Sequence, residues 1–493
     1  MKNNQQSRRR QGAKQAGTTG APAAHGEGYP YPVGATTSFD FEGQQLTPYG
    51  GLLPVATMLR NLGLEELVNL LVKVERVPRA MSVYQFVLAM VLGMYIGFAR
   101  LNQLRFVAFD PMLRGILQVV RLPPQCTFWR FLASWHSSVS RQLGNLQVQM
   151  RKRVWAAAHV RLQQITLDTD TTVHTVYGRQ MGGRVSYAPR KKGARSYQPI
   201  FTFLAETREY ICGELHNGDR PSGPCIEAHL RRALASLQDG EWELRARADS
   251  GFYCWQAVRA YQAYNCRFIM VARKTSRLVA ELTAAVWKPS PQTDAEAECE
   301  FYYKPEGWEQ KFRFIALRFA RKPKPQPRNS AAEQREQYQL FETSAYLYRV
   351  FVTDLEGPVY RLVQFYNQRC ASENLIKEAN NDAGMSAHPY YRFDMNQNHF
   401  QLVMLAYNLN CWLALFHRQP EIKTGALRHI TLATARLRFL FIAARLWRHA
   451  GRVGISYSAL YEDQGPLTEL IQRLRRIRFR DGTWAPVIAH ALT

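Results

Sequence analysis

The spacing of apolar residues divides the chain into regions of different predicted structure. From Thr47 to about Ala158 the apolar positions recur at helical spacing. From Gln163 to Ala272 short apolar and alternating runs predict strands separated by helices, in the order β-β-β-α-β-α-β. Helical spacing returns near Tyr360 and continues to the C-terminus. The pattern therefore predicts an α/β fold whose central part is a sandwich of helices around a mixed sheet.

The central prediction can be stated element by element. After a first strand around Ile165 and Leu167, the remaining elements are strands at Tyr197–Leu204 and Glu209–Leu215, a helix at Cys225–Leu237, a strand at Glu243–Ala248, a helix at Cys254–Tyr264 and a strand at Arg267–Ala272.

Composition and spacing together predict six segments. They are a flexible basic tail (1–45), a helical N-terminal DNA-binding region (46–158), a first core part (159–274), a β-rich insertion with a polar Lys/Pro loop (275–355), a second core part (356–417) and an Arg-rich helical C-terminal region (418–493).

Two long apolar segments test whether the chain enters a membrane. Val83–Ala99 contains 17 residues, which is at the short limit for a membrane span, and it includes Gln85. His399–Phe416 carries several amide side chains. We expect both to be buried helices of a protein without a membrane partner, and a span at Val83–Ala99 is the alternative.

The charge of the chain indicates its class of partner. There are 64 Lys and Arg residues against 39 Asp and Glu, which gives a formal net charge of +25. A hydrophobic content of 46% excludes global disorder. An excess of this size favours a polyanionic partner, nucleic acid before a membrane surface. The alternative is a basic protein whose charge only keeps it soluble.

Two basic segments are candidates for contacts with DNA. The helix expected after Leu122-Pro-Pro, with Thr127 as its N-cap, carries Arg130 and is either a recognition helix or an ordinary part of a helical bundle. Between the first two strands, a second basic run either meets phosphates or forms a solvated loop; it contains Arg190, Lys191, Lys192 and Arg195.

Carboxylates follow two of the predicted strands. Asp168 and Asp170 lie on the same face at the end of the first strand, because side chains alternate with a period of two. Asp249 follows the strand Glu243–Ala248 and precedes Gly251, which permits a close approach of the backbone. Each acid alone is typical of a cap or a turn. Together, at the ends of neighbouring strands, they indicate metal ligands, since buried carboxylates need a metal or a basic partner.

A third cluster lies on a predicted helix. Tyr366, Arg369, Glu373 and Lys377 fall on one stripe at about 100° per residue. A phenol, two cations and a carboxylate are unlike a core-facing stripe. The alternative is a solvated helix face with ion pairs between residues four apart.

These three motifs carry a resemblance to a known family. The set Asp170-Thr-Thr, Ala248-Asp249-Ser-Gly-Phe-Tyr and Tyr366-x2-Arg369-x3-Glu373 resembles the signature of bacterial insertion-sequence transposases of the DDE type. With Leu46-Thr-Pro-Tyr-Gly-Gly and Asn398-His-Phe-Gln-Leu, the chain is most similar to insertion-sequence family thirteen-eighty, over about residues 45 to 450.

The resemblance implies a ribonuclease-H-like catalytic core interrupted by the β-rich insertion. Asp170, Asp249 and Glu373 would be the catalytic residues and would hold two Mg²⁺ ions, with Mn²⁺ as a substitute. Tyr366, Arg369 and Lys377 would bind phosphates near the scissile bond. The implied activity is cleavage of transposon ends and strand transfer into target DNA by a homodimer, in the bacterial cytoplasm.

The chain departs from the family pattern at two places. The family lysine seven residues after the glutamate is Asn380 here, so Lys377 is the candidate replacement. Asp168 remains a possible metal ligand beside Asp170. In the insertion, Trp287 and Trp308 are either platforms for a DNA base or ordinary packing residues.

Two other functions fit the same residues. A ribonuclease-H-like nuclease would cut DNA without joining it. A domesticated, non-catalytic DNA-binding relative would be expected to lack one of the acids, whereas all three are present in this chain.

Overall fold

The computed structural model of the protein describes residues 33–186, 191–238, 240–320, 341–342, 346–418, 430–480 and 482–484. Contacts divide the chain into residues 1–44 and 45–493. In the first unit the described residues, 33–44, form neither helix nor strand. The helices and strands of the described residues all belong to the second unit.

Fourteen α-helices are described in the second unit. They are α1 Leu52–Asn61, α2 Leu64–Leu71, α3 Val83–Ile96, α4 Pro111–Leu117, α5 Gln125–Ala133, α6 Ser138–Ala157, α7 Gly223–Ala235, α8 Trp255–Ala263, α9 Ser276–Ala284, α10 Val359–Asn367, α11 Cys370–Asn381, α12 Phe393–His417, α13 Leu432–Ala435 and α14 Gln464–Arg475. Shorter helical turns occur at Leu101–Val107, Ser250–Phe252 and Arg436–Leu440.

Eighteen strands are described, most of them in one large sheet. They are β1 Leu46–Thr47, β2 Gln164–Thr171, β3 His174–Thr175, β4 Arg184–Val185, β5 Arg195–Tyr197, β6 Ile200–Leu204, β7 Tyr210–Glu214, β8 Glu243–Ala248, β9 Arg267–Val271, β10 Lys288–Pro289, β11 Ala297–Tyr303, β12 Phe312–Ala320, β13 Phe341–Glu342, β14 Tyr346–Thr353, β15 Ala444–His449, β16 Arg452–Tyr457, β17 Phe479–Arg480 and β18 Thr483–Trp484.

The large sheet has the strand order β10-β11-β12-β14-β9-β8-β2-β6-β7, with β13 paired to β14. In its second half β6 and β7 run antiparallel beside β2, whereas β8 and β9 run parallel to it. The central strand β2 is therefore flanked by an antiparallel hairpin on one side and by parallel strands, each preceded by a helix, on the other.

The predicted order of the central region is confirmed. The seven expected elements correspond to β2, β6, β7, α7, β8, α8 and β9. The prediction missed the small sheet β3-β5-β4, which lies between β2 and β6. Strands of two or three residues are too short to show an alternating pattern, and this gap is rich in glycine.

The predicted insertion (275–355) is rich in strands, as expected, but it is not a separate sheet. Strand β14 pairs antiparallel with β9, and β12, β11 and β10 follow it outward. We call this half of the sheet, β10–β14, the sheet extension. The Lys/Pro loop expected at 321–328 lies outside the described residues.

The two long apolar segments form buried helices. Helix α3 is buried from Phe86 to Ile96, and α12 is buried over most of its length. Among the described residues no single helix is long and apolar enough to cross a membrane. The pair Val83–Ile96 and Leu101–Val107, bent by 85°, meets the criteria of length and composition when taken together.

Two local predictions in the flanking regions are wrong. Thr127 is the expected N-cap of a helix, but α5 runs from Gln125 to Ala133 with Pro124 as its N-cap. Thr127 lies inside the first turn, where its backbone N–H donates to Pro124 O. The C-terminal region is not helical throughout, since β15 and β16 form a hairpin there. This hairpin pairs through β15 with β1, so the two ends of the second unit share a sheet.

Candidate active site

Two of the predicted acids lie side by side at one edge of the sheet. Strands β2 and β8 run parallel, and their register pairs Thr169 with Ala248. The next residue of each strand is an acid, Asp170 on β2 and Asp249 after β8. Since neighbouring strands are about 4.8 Å apart, the two carboxylates start from adjacent backbone positions.

The carboxylate of Asp170 is largely enclosed. Its Oδ1 accepts a hydrogen bond from the backbone N–H of Thr171 at 2.8 Å, and its Oδ2 lies 2.8 Å from Arg369 Nη2. Burial raises the pKa of Asp170 to about 7 against the opposing effect of Arg369, and the negative charges of Asp249 and Glu373 contribute to the rise. Asp249 and Glu373 therefore both lie within electrostatic reach of Asp170.

Asp249 caps the short turn that follows β8. Its Oδ1 accepts a hydrogen bond from the backbone N–H of Gly251 at 2.9 Å. A Cβ atom on Gly251 would lie only 2.9 Å from that same oxygen. A larger residue at position 251 would press on the carboxylate that caps this turn, in agreement with the close approach suggested by the sequence.

Glu373 comes from the helical segment that follows the sheet extension. The single helix predicted for Tyr366 to Lys377 is wrong, because α10 ends at Asn367 and α11 begins at Cys370. At the junction the N–H of Arg369 donates to Tyr366 O at 2.9 Å, a tighter turn than that of an α-helix. Glu373 lies in the first turn of α11 and is exposed.

The four residues of the predicted stripe consequently differ in exposure. Arg369 and Tyr366 are buried, at 4% and 2% exposure, whereas Glu373 and Lys377 are exposed. The Tyr366 ring packs on Phe351 at 4.8 Å between ring centroids, and burial raises the pKa of its phenol to about 12. Both side chains are buried, and that of Arg369 contacts Asp170. Phosphate binding by Tyr366 and Arg369 stays a prediction.

Asp168 occupies a different environment from Asp170, although both lie on the same face of β2. Both oxygens of Asp168 accept hydrogen bonds from Arg247, at 2.7 and 2.8 Å, and both side chains are 3% exposed. The two residues are directly opposite each other in the β2–β8 register. Asp168 therefore lies within the sheet, whereas Asp170, whose side chain is 13% exposed, lies two residues nearer the end of β2.

Arg247 is the main site residue that sequence reasoning missed. Besides Asp168, it donates from Nη1 to the backbone oxygen of Phe365 on α10 at 2.8 Å. In the opposite direction, Arg369 at the start of α11 approaches Thr169 O on β2 at 3.4 Å. Arg247 thus connects β8 to α10, and Arg369 connects β2 to α11, the helix that carries Glu373. The available signal was an arginine inside a buried strand, which requires an acidic partner.

The other predicted DNA-binding residues are not part of the buried arginine contacts around Asp168 and Asp170. Arg130 and Lys192 are exposed, and Lys191 Nζ lies 4.8 Å from the ring centroid of the exposed Tyr177. Arg195 donates to the backbone oxygens of Gly183 and Gln180, which commits its guanidinium to holding the loop. Arg190 lies outside the described residues.

Asn380, which stands where the family pattern has lysine, points into a polar cluster. Its Oδ1 lies 2.8 Å from His174 Nε2, and His174 Nδ1 lies 2.9 Å from His388 Nε2. Burial lowers the pKa of His174 to about 4, so its ring is neutral near pH 7. Asn380 therefore has a structural partner, and the exposed cation on this helix is Lys377.

The two tryptophans of the insertion have packing partners. Trp308 is 6% exposed and packs against Tyr253 and Trp255. Trp287 is partly buried beside Tyr348, and the Arg318 guanidinium lies 5.0 Å from its ring centroid. These contacts agree with the packing alternative for Trp308. A role of Trp287 as a platform for a base stays a prediction.

The donor set is suited to a hard divalent cation. Among the described residues, no group of three His, Cys, Asp or Glu side chains is arranged to hold a metal ion as it stands. At Asp170, Arg369 and Thr171 contact the two oxygens. Burial is the main cause of the raised pKa of Asp170, and the negative charges of Asp249 and Glu373, which a divalent cation would neutralise, add to it. Oxygen ligands of this kind are those that Mg²⁺ prefers.

Comparisons with known proteins agree with the motifs. A family model described as "Transposase DDE domain group 1" matches residues 34–479. No match was found among curated proteins. A solved structure described as "Cryo-EM structure of piggyBac transposase synaptic complex with hairpin DNA (SNHP)" is 11% identical over 74% of this chain and 80% of that chain, with a TM-score of 0.34. A likeness that distant supports no conclusion about this chain.

Proposed function

The chain belongs to the transposase DDE domain group 1 family, and from this premise we propose that it cleaves transposon ends and joins them to target DNA. The observation that carries the proposal is the placement of Asp170 and Asp249 at adjacent ends of parallel strands, with Glu373 within electrostatic reach. Carboxylates on neighbouring strand ends and a nearby helix supply the kind of oxygen ligands that Mg²⁺ prefers, and phosphoryl transfer by two such ions is the proposed chemistry.

The order of the strands supports a ribonuclease-H-like core. Strands β2, β6 and β7 form consecutive antiparallel neighbours, and β8 and β9 are added in parallel on the other side of β2. The carboxyl ends of β2 and β8 then meet at one edge, where open α/β sheets commonly carry their sites. We propose that the sheet extension is an insertion into this core.

Within this site the side chains have distinct roles. Asp170, Asp249 and Glu373 supply the carboxylate oxygens that would bind Mg²⁺, or Mn²⁺ in its place. The chemistry available when two such ions are bound is activation of the attacking oxygen and stabilisation of the leaving oxygen. Arg247 and Arg369 hold the strand ends and the Glu373 helix together through Asp168, Phe365 O and Asp170. Lys377, exposed one turn beyond Glu373, is placed to meet a phosphate.

The charge of the whole protein supports DNA as the substrate. A net charge of +25 favours attraction of a polyanion at long range. Exposed cations such as Lys191 and Lys192, in the segment between β2 and β6, add to this attraction. We propose that two copies act together, since joining both ends of one element requires two active sites.

The test is cleavage and joining in vitro. A duplex carrying the DNA that flanks the coding sequence is incubated with the full-length protein and Mg²⁺, and a pre-cut duplex with a free 3′-hydroxyl is offered for joining to a plasmid. We expect cleavage and joining by the wild type, and neither by Asp249→Ala, which still binds the duplex. Cleavage that survives Asp249→Ala would remove Asp249 from the catalytic set.

The same assay separates the alternatives. Cleavage without joining of the pre-cut duplex would favour a nuclease of the same fold. Binding without cleavage in either Mg²⁺ or Mn²⁺ would favour a non-catalytic DNA-binding protein.

A further inference from the structure

The hairpin of β15 and β16 is the part of the second unit that the proposed active site does not explain. Its strands are joined by Ala450 and Gly451, both with positive φ, at 46° and 75°. Six residue pairs link the strands, from Ala444 with Tyr457 to His449 with Arg452. Because β1 pairs with β15 only at Ala444 and Arg445, the hairpin is a regular two-stranded ribbon from Leu446 to Ile455, with a tight turn.

The two faces of this ribbon differ in composition. On the inner face Leu446 and Ile455 are partly buried against the hydrophobic core, and Tyr457 packs on a smaller cluster. The outer face is set by the alternation of side chains along each strand. It carries Arg445, Trp447, His449, Arg452 and Ser456, all of which are exposed.

Trp447 lies flat across the outer face. It pairs with Gly454 on the neighbouring strand, and a Cβ atom on Gly454 would lie 2.0 Å from Trp447 Cζ2. Only glycine leaves room for the indole in this position. The ring remains 44% exposed, so it offers a flat apolar surface between the cations of the outer face.

The cations of the ribbon have no acidic partners. No Asp or Glu occurs between residues 437 and 461. Within the described part of the chain, no hydrogen bond or ion pair engages the guanidinium of Arg445, Arg448 or Arg452. By contrast, the neighbouring Arg438 is paired with Asp463, which lies 2.6 Å away. Arg445 and Arg452 lie on the outer face, and the exposed Arg448 lies on the opposite face beside the turn, paired with Val453. Unpaired arginines on one rigid element are a site for a polyanion.

We propose that this ribbon binds target DNA, as a duplex and without sequence preference. The proposal rests on the proposed function, because it takes DNA as the substrate. A two-stranded β-ribbon fits the major groove of duplex DNA, and arginines along it can neutralise phosphates on either side. Because the indole of Trp447 lies flat, it does not project from the outer face, and it packs against sugars or thymine methyl groups.

The chemistry of the outer face favours target DNA over the transposon ends. Recognition of a defined end requires side chains that select particular bases, and Asn, Gln, Asp and Glu, which select adenine or cytosine, are absent from β15 and β16. What remains are arginines, a histidine, one hydroxyl and an indole. Arginine reads guanine in the major groove and also binds phosphates of any sequence, so this face can read few of the base pairs of a defined end. Backbone contacts position a duplex but do not specify its sequence.

The test compares two triple variants of equal charge in DNA-binding measurements. One replaces Arg445, Arg448 and Arg452 by Gln; the matched control replaces the exposed lysines Lys288, Lys304 and Lys311 of the sheet extension by Gln. Fluorescence anisotropy with a duplex of arbitrary sequence, in EDTA, gives the affinity over a series of salt concentrations. We expect the ribbon variant to lose about tenfold or more in affinity and to reduce the salt slope by about 2 to 3, at about 0.9 per phosphate contact.

A second variant tests the position of the Trp447 ring on the outer face without changing charge. Gly454→Ala forces the Trp447 ring from its place and is expected to weaken binding by a few-fold while the salt slope stays unchanged. Thermal unfolding checks both ribbon variants. If the triple variant is unfolded, the single outer-face variants Arg445→Gln and Arg452→Gln are measured instead, and each is expected to reduce the slope by about 0.9.

The outcomes distinguish this proposal from the proposed function. Equal losses in the ribbon variant and the lysine control would mean that only net charge matters, and the ribbon assignment would be wrong. A loss confined to the duplex from the flanking DNA would overturn the choice of target DNA. If the wild type joins DNA and the ribbon variant binds normally, the ribbon proposal fails while the function stands. If the wild type neither binds nor cleaves DNA, the function itself fails.

Discussion

The two halves of the large sheet use the same kinds of residues in different ways. In the half that carries Asp170 and Asp249, the ion pair Arg247–Asp168 is 3% exposed on both sides and is linked to a helix through Phe365 O. In the sheet extension, Arg318 pairs across strands with Glu296, and the glutamate side chain is 44% exposed. The pairing is similar, but only the first pair is removed from water.

This difference determines what each ion pair contributes. An exposed pair is screened by solvent and contributes about 0–1 kcal/mol. A buried pair offers little net stability over an apolar pair of the same shape, but breaking it leaves an uncompensated charge in the interior. The buried arginines therefore fix the geometry around the acids. The ion pairs of the extension lie on the surface of a sheet that is stabilised mainly by hydrophobic packing.

The largest expected effect is the loss of catalysis on removal of an edge acid. Asp170→Asn keeps the size of the side chain but removes a charged oxygen ligand. Because loss of a residue that only supports a ligand already costs about 10–100-fold, we expect cleavage to fall by more than about a hundredfold. The rate is measured under single-turnover conditions with Mg²⁺.

The matched control for that substitution is Asp294→Asn, an exposed acid of the sheet extension. It should leave the cleavage rate unchanged. Equal rates for wild type and Asp170→Asn would contradict the assignment of Asp170 as the first acid and would return attention to Asp168.

The second effect concerns stability and compares two arginines on one strand. Arg247→Met leaves Asp168 buried without its partner, so we expect the free energy of unfolding to fall by about 3–5 kcal/mol. Arg245→Met, two residues earlier on the same face, removes a solvent-exposed pair with Glu243 and should cost about 1 kcal/mol or less. Urea denaturation measures both. Similar losses for the two variants would mean that the buried pair has no special role in holding the site.

The third effect is a dependence of metal affinity on pH. With a pKa of about 7, Asp170 is protonated below that pH in the metal-free protein, and a metal ion must displace the proton. Binding of Mn²⁺, followed by its paramagnetic resonance signal, should strengthen by up to about tenfold per pH unit below 7 and level off above it. Asp170→Asn should weaken binding and abolish this slope; a slope that persists in the variant would assign the proton to another group.

The same pKa has a consequence for the metal-free fold. Because the pKa of Asp170 is raised above its ordinary value of 3.8, the folded protein holds this proton more tightly than the unfolded chain does. The stabilisation from this group is full below about pH 4 and is lost as pH rises to about 7.

The smallest effect is expected at the rim of the site. Lys377 is exposed, and its removal deletes at most one phosphate contact. Lys377→Ala should lower DNA affinity by less than about tenfold and reduce the salt slope by about 0.9. Lys288→Ala in the sheet extension is the comparison and should change neither. A large loss of cleavage with unchanged binding in Lys377→Ala would instead assign Lys377 to the chemistry.

Much of the core could be predicted from the chain alone, because local patterns carried the information. The alternation in β2 and the helical spacing of α7 and α8 gave the order of the central elements correctly. Asp170 and Asp249 could be placed at strand ends because Asp170 is the last residue but one of β2 and Asp249 directly follows β8. The register of β2 and β8 then brings them together, as a parallel neighbour relation requires.

Where the predictions were wrong, they assumed that a local pattern continues. A single helical wheel places Tyr366, Arg369 and Glu373 on one stripe, but the backbone tightens at Arg369, whose side chain is buried against Asp170. Helical spacing is expected to continue to the C-terminus, yet segment 444–457 pairs into a hairpin. The junction at Arg369 has no Pro or Gly, whereas the hairpin turn has Gly451 at positive φ.

The sequence by itself determined the acids, the basic character and the order of strands and helices in the core, since these depend on neighbours along the chain. Only the tertiary structure decided that Asp168 is neutralised by Arg247 while Asp170 reaches the edge. It also decided that residues 275–355 extend the same sheet and that a ribbon of unpaired arginines lies near the C-terminus. The physical reason is that burial and partner choice depend on residues far apart in sequence, and the cost of an unpaired charge is set by the environment that they create together.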